Sequence, residues 1–197
     1  MDLLIATRNP GKQREYRELL RHVAANLLFP EELHLNIDVQ EDGKTYAENA
    51  RKKAEQHEAA SGLLTVADDS GLEVDALGGA PGLRSARYAE GSDADRLEAL
   101  LQDLRGVPWE ERTARFRCVL VVAAQAGRPV QFEGVCEGMI ARESKGKGGF
   151  GYDPVFYLPG RGCTMAELAR EEKNRISHRA RAVESARATL ERLLHTA

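Results

Sequence analysis

The first twenty residues constrain this chain more than any other stretch. Leu3-Leu4-Ile5 is an apolar run, "ATRNPGK" follows at residues 6 to 12, and "QREYRELL" comes next. A short buried strand that runs through a tight polar turn into a helix implies a crossover connection, and so an α/β layer with parallel pairing. The turn itself carries Thr7, Arg8, Asn9, Pro10, Gly11 and Lys12. It lacks the first glycine and the final hydroxyl of a P-loop, G-x-x-x-x-G-K-S/T. The physics of anion binding can still apply. Amides at residues 8 to 12 would stand at a helix N-terminus, Gly11 permits close approach, and Lys12 adds a full positive charge. Thr7 and Asn9 supply short polar side chains. Read alone, the segment fits an ordinary strand-to-helix turn at least as well.

The rest of the chain extends the pattern. The spacing predicts a helix over 11–24, a second strand over "ELHLNIDV" (32–39) and a helix over 45–60. Thr45 and Glu48 open that helix as a capping box, the threonine accepting from the third helical amide and the glutamate reaching back. "LLTVA" (63–67) reads as a buried strand, "LEVDAL" (72–77) as another, and "GGAPG" (78–82) as a tight loop. A helix is expected over 92–105, with Ser92 and Asp95 as a further box. Residues 113–125 and 129–142 are rich in alternating Val and Phe, with "AGRP" between them, and read as a long hairpin. Thr164 and Glu167 form a third box. The last helix, about 178–195, places Val183, Ala186, Leu190 and Leu193 on one stripe. The predicted fold class is α/β: a mixed sheet with flanking helices, one domain over 1–197, in two lobes around a central substrate cleft.

Composition removes several classes of function. The chain has 197 residues, with 28 Lys plus Arg against 31 Asp plus Glu and a net charge of −3. That balance argues against a generic nucleic-acid binder, which needs a basic footprint. No apolar run approaches a membrane span, and the chain enters a strand at once with no leader evident. Of the three cysteines, Cys118 and Cys136 lie in strand-like runs, which favours small buried thiols over a disulfide. A soluble cytoplasmic protein without nucleic-acid or membrane partners is expected.

Three further clusters carry candidate chemistry. "VADDSG" (66–71) places Asp68 and Asp69 after a buried strand. Continued strand geometry would point them in opposite directions, so at most one faces a given ligand. A carboxylate there can hold Mg²⁺ or accept a proton from water, although "DDSG" is also good turn chemistry. Glu41, in "QEDG", supplies an acid from a separate loop. Two such acids beside a phosphate-type turn suit Mg²⁺, which is usually held by a few carboxylates plus substrate phosphates. "KGKGGFGYDPVF" (145–156) surrounds Phe150 and Tyr152 with four glycines, a composition suited to closing on a flat ring. "EEKNRISHRARAV" (171–183) brings Lys173, His178 and Arg179 to the start of the last helix, where an arginine fork reads oxo groups and rejects amino groups.

In this order, "ATRNPGK", "EDGKTYAENA", "ADDSGLEVDALGGAPG", "GFGYDPVF", "TMAEL" and "SHRARA" resemble the inosine triphosphate pyrophosphatase family, house-cleaning enzymes for non-standard purine nucleoside triphosphates. The resemblance runs over nearly the whole chain. It implies Mg²⁺-dependent hydrolysis of ITP, dITP or XTP between the α- and β-phosphates, giving the monophosphate and pyrophosphate. By the same resemblance, Thr7, Arg8, Asn9, Pro10, Gly11 and Lys12 match the phosphate-binding turn. Glu41 and Asp69 match the Mg²⁺ carboxylates, with Asp69 also the base for the attacking water and Asp68 supporting. Lys53 and Ser70 match positions lining the substrate site. Phe150 matches the base-stacking aromatic, with Gly151, Tyr152 and Asp153 shaping its pocket. Lys173, His178 and Arg179 match residues that recognise the base and a nearby phosphate. Tyr46 stands where phenylalanine is common. A homodimer is also implied, with "GGAPGLRSARY" a plausible contact. The alternatives are a pyrophosphatase for other modified nucleotides, or a nucleotide-sensing protein without turnover.

Overall fold

The computed structural model describes residues 1–125 and 127–196; Ala126, in the expected "AGRP" turn, and Ala197 lie outside the described residues. The strands are β1 (Asp2–Ile5), β2 (Asn26–Leu28), β3 (Leu64–Val74), β4 (Thr113–Ala123), β5 (Val130–Ile140), β6 (Phe156–Leu158) and β7 (Cys163–Thr164). The helices are α1 (Pro10–Leu19), α2 (Tyr46–Ser61), α3 (Asp93–Asp103), α4 (Arg170–Ile176) and α5 (His178–Thr196). The strands form one sheet in the order β2-β1-β3-β4-β5-β6-β7. Leu3 of β1 lies opposite both Leu27 and Leu64 in parallel pairs, whereas β5–β6 and β6–β7 are antiparallel. The sheet is therefore mixed, as the element order implies.

Local chemistry sets most boundaries. The Asn9 side chain accepts from the Lys12 amide at 3.0 Å and Pro10 fills the first helical position, which starts α1. Thr45 caps α2 by accepting from the Glu48 amide at 3.1 Å, but the Glu48 carboxylate reaches back to the Lys44 amide, at 2.6 Å, one residue further than the expected box. Gly62 ends α2 in the left-handed conformation, φ +68°. The boxes at Ser92/Asp95 and Thr164/Glu167 are both formed, the latter opening a 3₁₀ turn over Met165–Glu167.

Three expectations change. Helix α1 stops at Leu19, five residues early, and the second strand is the short Asn26–Leu28 rather than 32–39. From Leu33 to Val39 half-buried and exposed residues do alternate, but no strand pairs with this segment among the described residues. The alternation is not that of a strand: Leu33 and His34 belong to a hydrogen-bonded turn, with His34 at φ +51° and its amide donating to the Glu31 carbonyl. The two strands expected over 63–67 and 72–77 are one, β3, eleven residues long, so Asp68, Asp69, Ser70 and Gly71 sit in a strand and not in a turn. Residues Asp75–Leu77 leave it as a 3₁₀ turn.

The chain divides into two compact units. The first comprises Met1–Asp69, Cys118–Gly134 and Arg179–Ala197; the second comprises Ser70–Arg117 and Val135–His178. Each has its own core. Leu3, Ile5, Phe29, Val66 and Leu120 pack in the first with the Val183, Ala186 and Leu190 stripe of α5. Leu72, Leu100, Phe116, Ile140 and Phe156 pack in the second. Arg112, buried in the second unit, donates to the carbonyls of Leu104, Ile140 and Ala141 at 2.8–3.0 Å, so its charge is spread over main-chain acceptors. Among the described residues no disulfide forms, and Cys118 and Cys136 are buried as expected. Among the described residues no helix is long and apolar enough to cross a membrane.

Candidate active site

The turn after β1 is organised by its own side chains. Thr7 Oγ1 accepts from the Asn9 amide at 3.2 Å, and Asn9 Oδ1 takes the Lys12 amide. Pro10 has no amide hydrogen. Of the five amides expected to face an anion, two are thus engaged within the turn and one does not exist. The cradle narrows to the amides of Arg8 and Gly11. The Arg8 guanidinium turns away to the Leu35 carbonyl, 2.7 Å distant.

Lys12 points at β3. Its Nζ lies 2.9 Å from Asp68 Oδ2, and Arg179 Nη2 approaches the same oxygen at 3.2 Å. Arg179, at the start of α5, also forms an ion pair with Glu15 of α1 and is 1 % exposed. Burial alone would raise the Asp68 carboxyl, but Lys12, Arg179 and Lys53 outweigh it and hold the group well below the usual carboxylate range. Asp68 is a fixed negative charge that aims two cations. Arg179, expected to recognise the base and a nearby phosphate, pairs with Asp68 and Glu15. A glutamate inside "QREYRELL" carries no sequence signal of its own; the tertiary fold gives Glu15 its role by placing Arg179 against it.

The alternation across β3 sends Asp69 elsewhere. Lys53 Nζ, on α2, lies 2.9 Å from Glu41 Oε1 and 3.7 Å from Asp69 Oδ1, so its ammonium sits between the two carboxylates. Asn49 Nδ2 donates to Asp69 Oδ2 at 3.0 Å. Burial raises the Asp69 carboxyl above its ordinary value, more than Lys53 and the Asn49 hydrogen bond lower it. Burial lowers the Lys53 ammonium, but Asp69, Asp68 and Glu41 more than compensate and leave it raised. A proton acceptor lifted toward neutrality beside a permanent cation is an arrangement suited to activating water. Among the described residues no three His, Cys, Asp or Glu side chains converge in a metal-holding group. Glu41 and Asp69 nonetheless fit a hard divalent cation: both donors are carboxylate oxygens, and a cationic group already lies between them.

The second unit holds the other candidates. Asp153, 2 % exposed, accepts from the Phe150 amide at 2.8 Å and pairs with Lys173, whose Nζ lies 5.1 Å from the Phe150 ring centroid. Asp93 accepts from the Gly151 amide at 2.9 Å, and the Tyr152 hydroxyl donates to the Ser85 carbonyl at 2.8 Å. His178 stacks on Phe116, 4.7 Å between centroids. Asp153 and Tyr152 therefore build the loop, while Phe150, half-buried, is the ring it presents. Lys173 belongs to its own short helix, α4, and Ser70 stands half-buried on β3 next to Asp69. Asp93, Ser85 and Phe116 carried no sequence signal, because each acts on a partner many residues away.

The sequence model of the Ham1 family matches residues 3–189. A dITP/XTP pyrophosphatase of Geobacillus kaustophilus is 53 % identical over 189 residues, covering 92 % of this chain and 90 % of that one. A protein of the same name from Bacillus subtilis is 44 % identical over 192 residues, covering 96 % and 97 %. Among solved structures, the Ham1 protein of Staphylococcus aureus superposes with a TM-score of 0.86 at 39 % identity, covering 98 % of this chain and all of that one. The chain belongs to the Ham1 family.

Proposed function

We propose that this protein is a nucleoside triphosphate pyrophosphatase that hydrolyses the non-standard purine nucleotides ITP, dITP and XTP to the monophosphate and pyrophosphate in a Mg²⁺-dependent reaction. The names of its relatives support the reaction class. The observation that carries the reading is Lys53 lodged between Glu41 and Asp69, with the Asp69 carboxyl raised by burial. A protein that only binds nucleotides has no use for such a base.

In this reading Lys12, Thr7 and the amides of Arg8 and Gly11 take the polyphosphate tail and neutralise charge that would repel the attacking water. Glu41 and Asp69 would hold Mg²⁺, which supplies Lewis-acid stabilisation of phosphoryl oxygens. Asp69 accepts the proton of the attacking water, and Lys53 holds the carboxylates in place against one another. Phe150 stacks on the base. The donor for a 6-oxo group is Arg179 or a backbone amide, with His178 alongside. Adenine would set its 6-amino donor against that donor, and an unsatisfied buried polar group costs about 1–3 kcal/mol. The nucleotide pool it would act on is cytoplasmic. A homodimer, with residues 78–88 as contact, would give a solution mass near twice the 21.7 kDa of the chain; a monomer would remove that assignment.

The test is pyrophosphate release from dITP, XTP, dUTP, GTP and ATP with and without Mg²⁺. The expected result is turnover of dITP and XTP in Mg²⁺ with kcat/KM about 5- to 150-fold above ATP, the range one mismatched donor gives. Hydrolysis of dITP no better than ATP contradicts the assignment, and a preference for dUTP points to the alternative of other modified nucleotides.

A further inference from the structure

We infer that Asn49 is a positioning residue for the reaction, setting the spacing and orientation of the two carboxylates at once. Asn49 lies in the first turn of α2 and is 1 % exposed. A buried primary amide must have both its donor and its acceptor satisfied. Here they point to two different segments. Oδ1 accepts from the Gly43 amide at 2.8 Å, two residues beyond Glu41, and Nδ2 donates to Asp69 Oδ2 at 3.0 Å on β3. One rigid side chain thus ties the loop carrying Glu41 to the strand carrying Asp69. The approach is close: a Cβ on Gly43 would lie 2.6 Å from Asn49 Oδ1 and 2.8 Å from the Glu48 Cβ, so only glycine lets the loop settle there. By occupying Oδ2, the amide orients the carboxylate so that Oδ1 is the oxygen nearer Lys53. Asn49 does not touch substrate in this account; it acts through the Asp69 carboxylate and the loop.

The inference rests on Glu41 and Asp69 being the carboxylates of the proposed reaction. Its test uses the intact protein and two readouts, Mn²⁺ binding to the nucleotide-free chain by electron paramagnetic resonance, and steady-state kinetics on dITP. Asn49→Ala should raise the Mn²⁺ dissociation constant roughly 10- to 100-fold, the usual effect of losing an orienting partner. It should lower kcat while KM for Mg²⁺-saturated dITP stays within about twofold, because the lost interaction does not contact substrate. Gly43→Ala removes no polar group but displaces the loop from Asn49. It should shift both quantities in the same direction, and it decides the matter if Asn49→Ala does not fold. Asp69→Asn is the control. If that variant binds Mn²⁺ and turns over as the unaltered protein does, the carboxylate assignment itself fails. If it loses both while folded Asn49→Ala or Gly43→Ala keeps both, the positioning role of Asn49 alone is overturned.

Discussion

Asp68 and Asp69 are adjacent in sequence and opposite in environment. The first is buried against Lys12 and Arg179, the second against Lys53 and Asn49. Their carboxyls shift in opposite directions: the cations around Asp68 outweigh its burial, whereas burial of Asp69 outweighs Lys53 and Asn49. The consequences for stability have opposite signs. Asp68 has a folded value below its unfolded one, near 3.8, so its contribution is complete above about pH 4 and declines as the pH falls further. Asp69 has a folded value above 3.8, so its buried charge costs stability above that folded value, and the cost is relieved as the pH falls through it. At pH 7, Asp68→Asn should therefore lower the melting temperature, with the gap to the unaltered protein narrowing below about pH 4. Asp69→Asn should abolish pyrophosphate release without lowering the melting temperature. Thermal melts at several pH values check both, and an Asp69→Asn variant that is inactive because it is unfolded would contradict the division of roles.

At the scale of elements, the sequence was most legible where the causes are local. The expected caps at Thr45, Ser92 and Thr164 are all formed, and the stripe on α5 faces its core. It was least legible where pairing decides. The alternating segment at 33–39 forms no strand among the described residues, and "DDSG" continues β3 past Leu64–Val66, the stretch that pairs with β1. The candidate site divides the same way. Glu41, Lys53, Asp69 and Lys12 carry recognisable residue types at motif positions. Glu15, Asn49 and Asp93 reveal themselves only through partners 164, 20 and 58 residues away. The aromatic loop belongs at this scale too. Gly149 has φ +70°, and a Cβ there would lie 1.9 Å from the Asp153 carboxylate that caps the Phe150 amide. Gly149→Ala should displace Phe150 and raise KM for dITP, while tripolyphosphate, which has no base, should inhibit the variant and the unaltered protein equally. An unchanged KM for dITP would remove Phe150 from base binding.

For the whole molecule, each compact unit contains a complete core and a distinct part of the proposed chemistry. The first carries the turn, the acids and Lys53; the second carries Phe150, Asp153 and Lys173. Charge-handling groups and ring-handling groups are thus folded around separate hydrophobic centres. In the proposed reaction the glycine-and-lysine turn after β1 holds a polyphosphate while Glu41 and Asp69 prime water against it. The most direct measurement is a crystal structure of the Asp69→Asn variant with dITP and Mg²⁺, in which turnover is stopped. The account predicts triphosphate oxygens within hydrogen-bond distance of Lys12 and the Arg8 and Gly11 amides, with the α-phosphorus near residue 69. A triphosphate bound away from both the turn and the acids would contradict it.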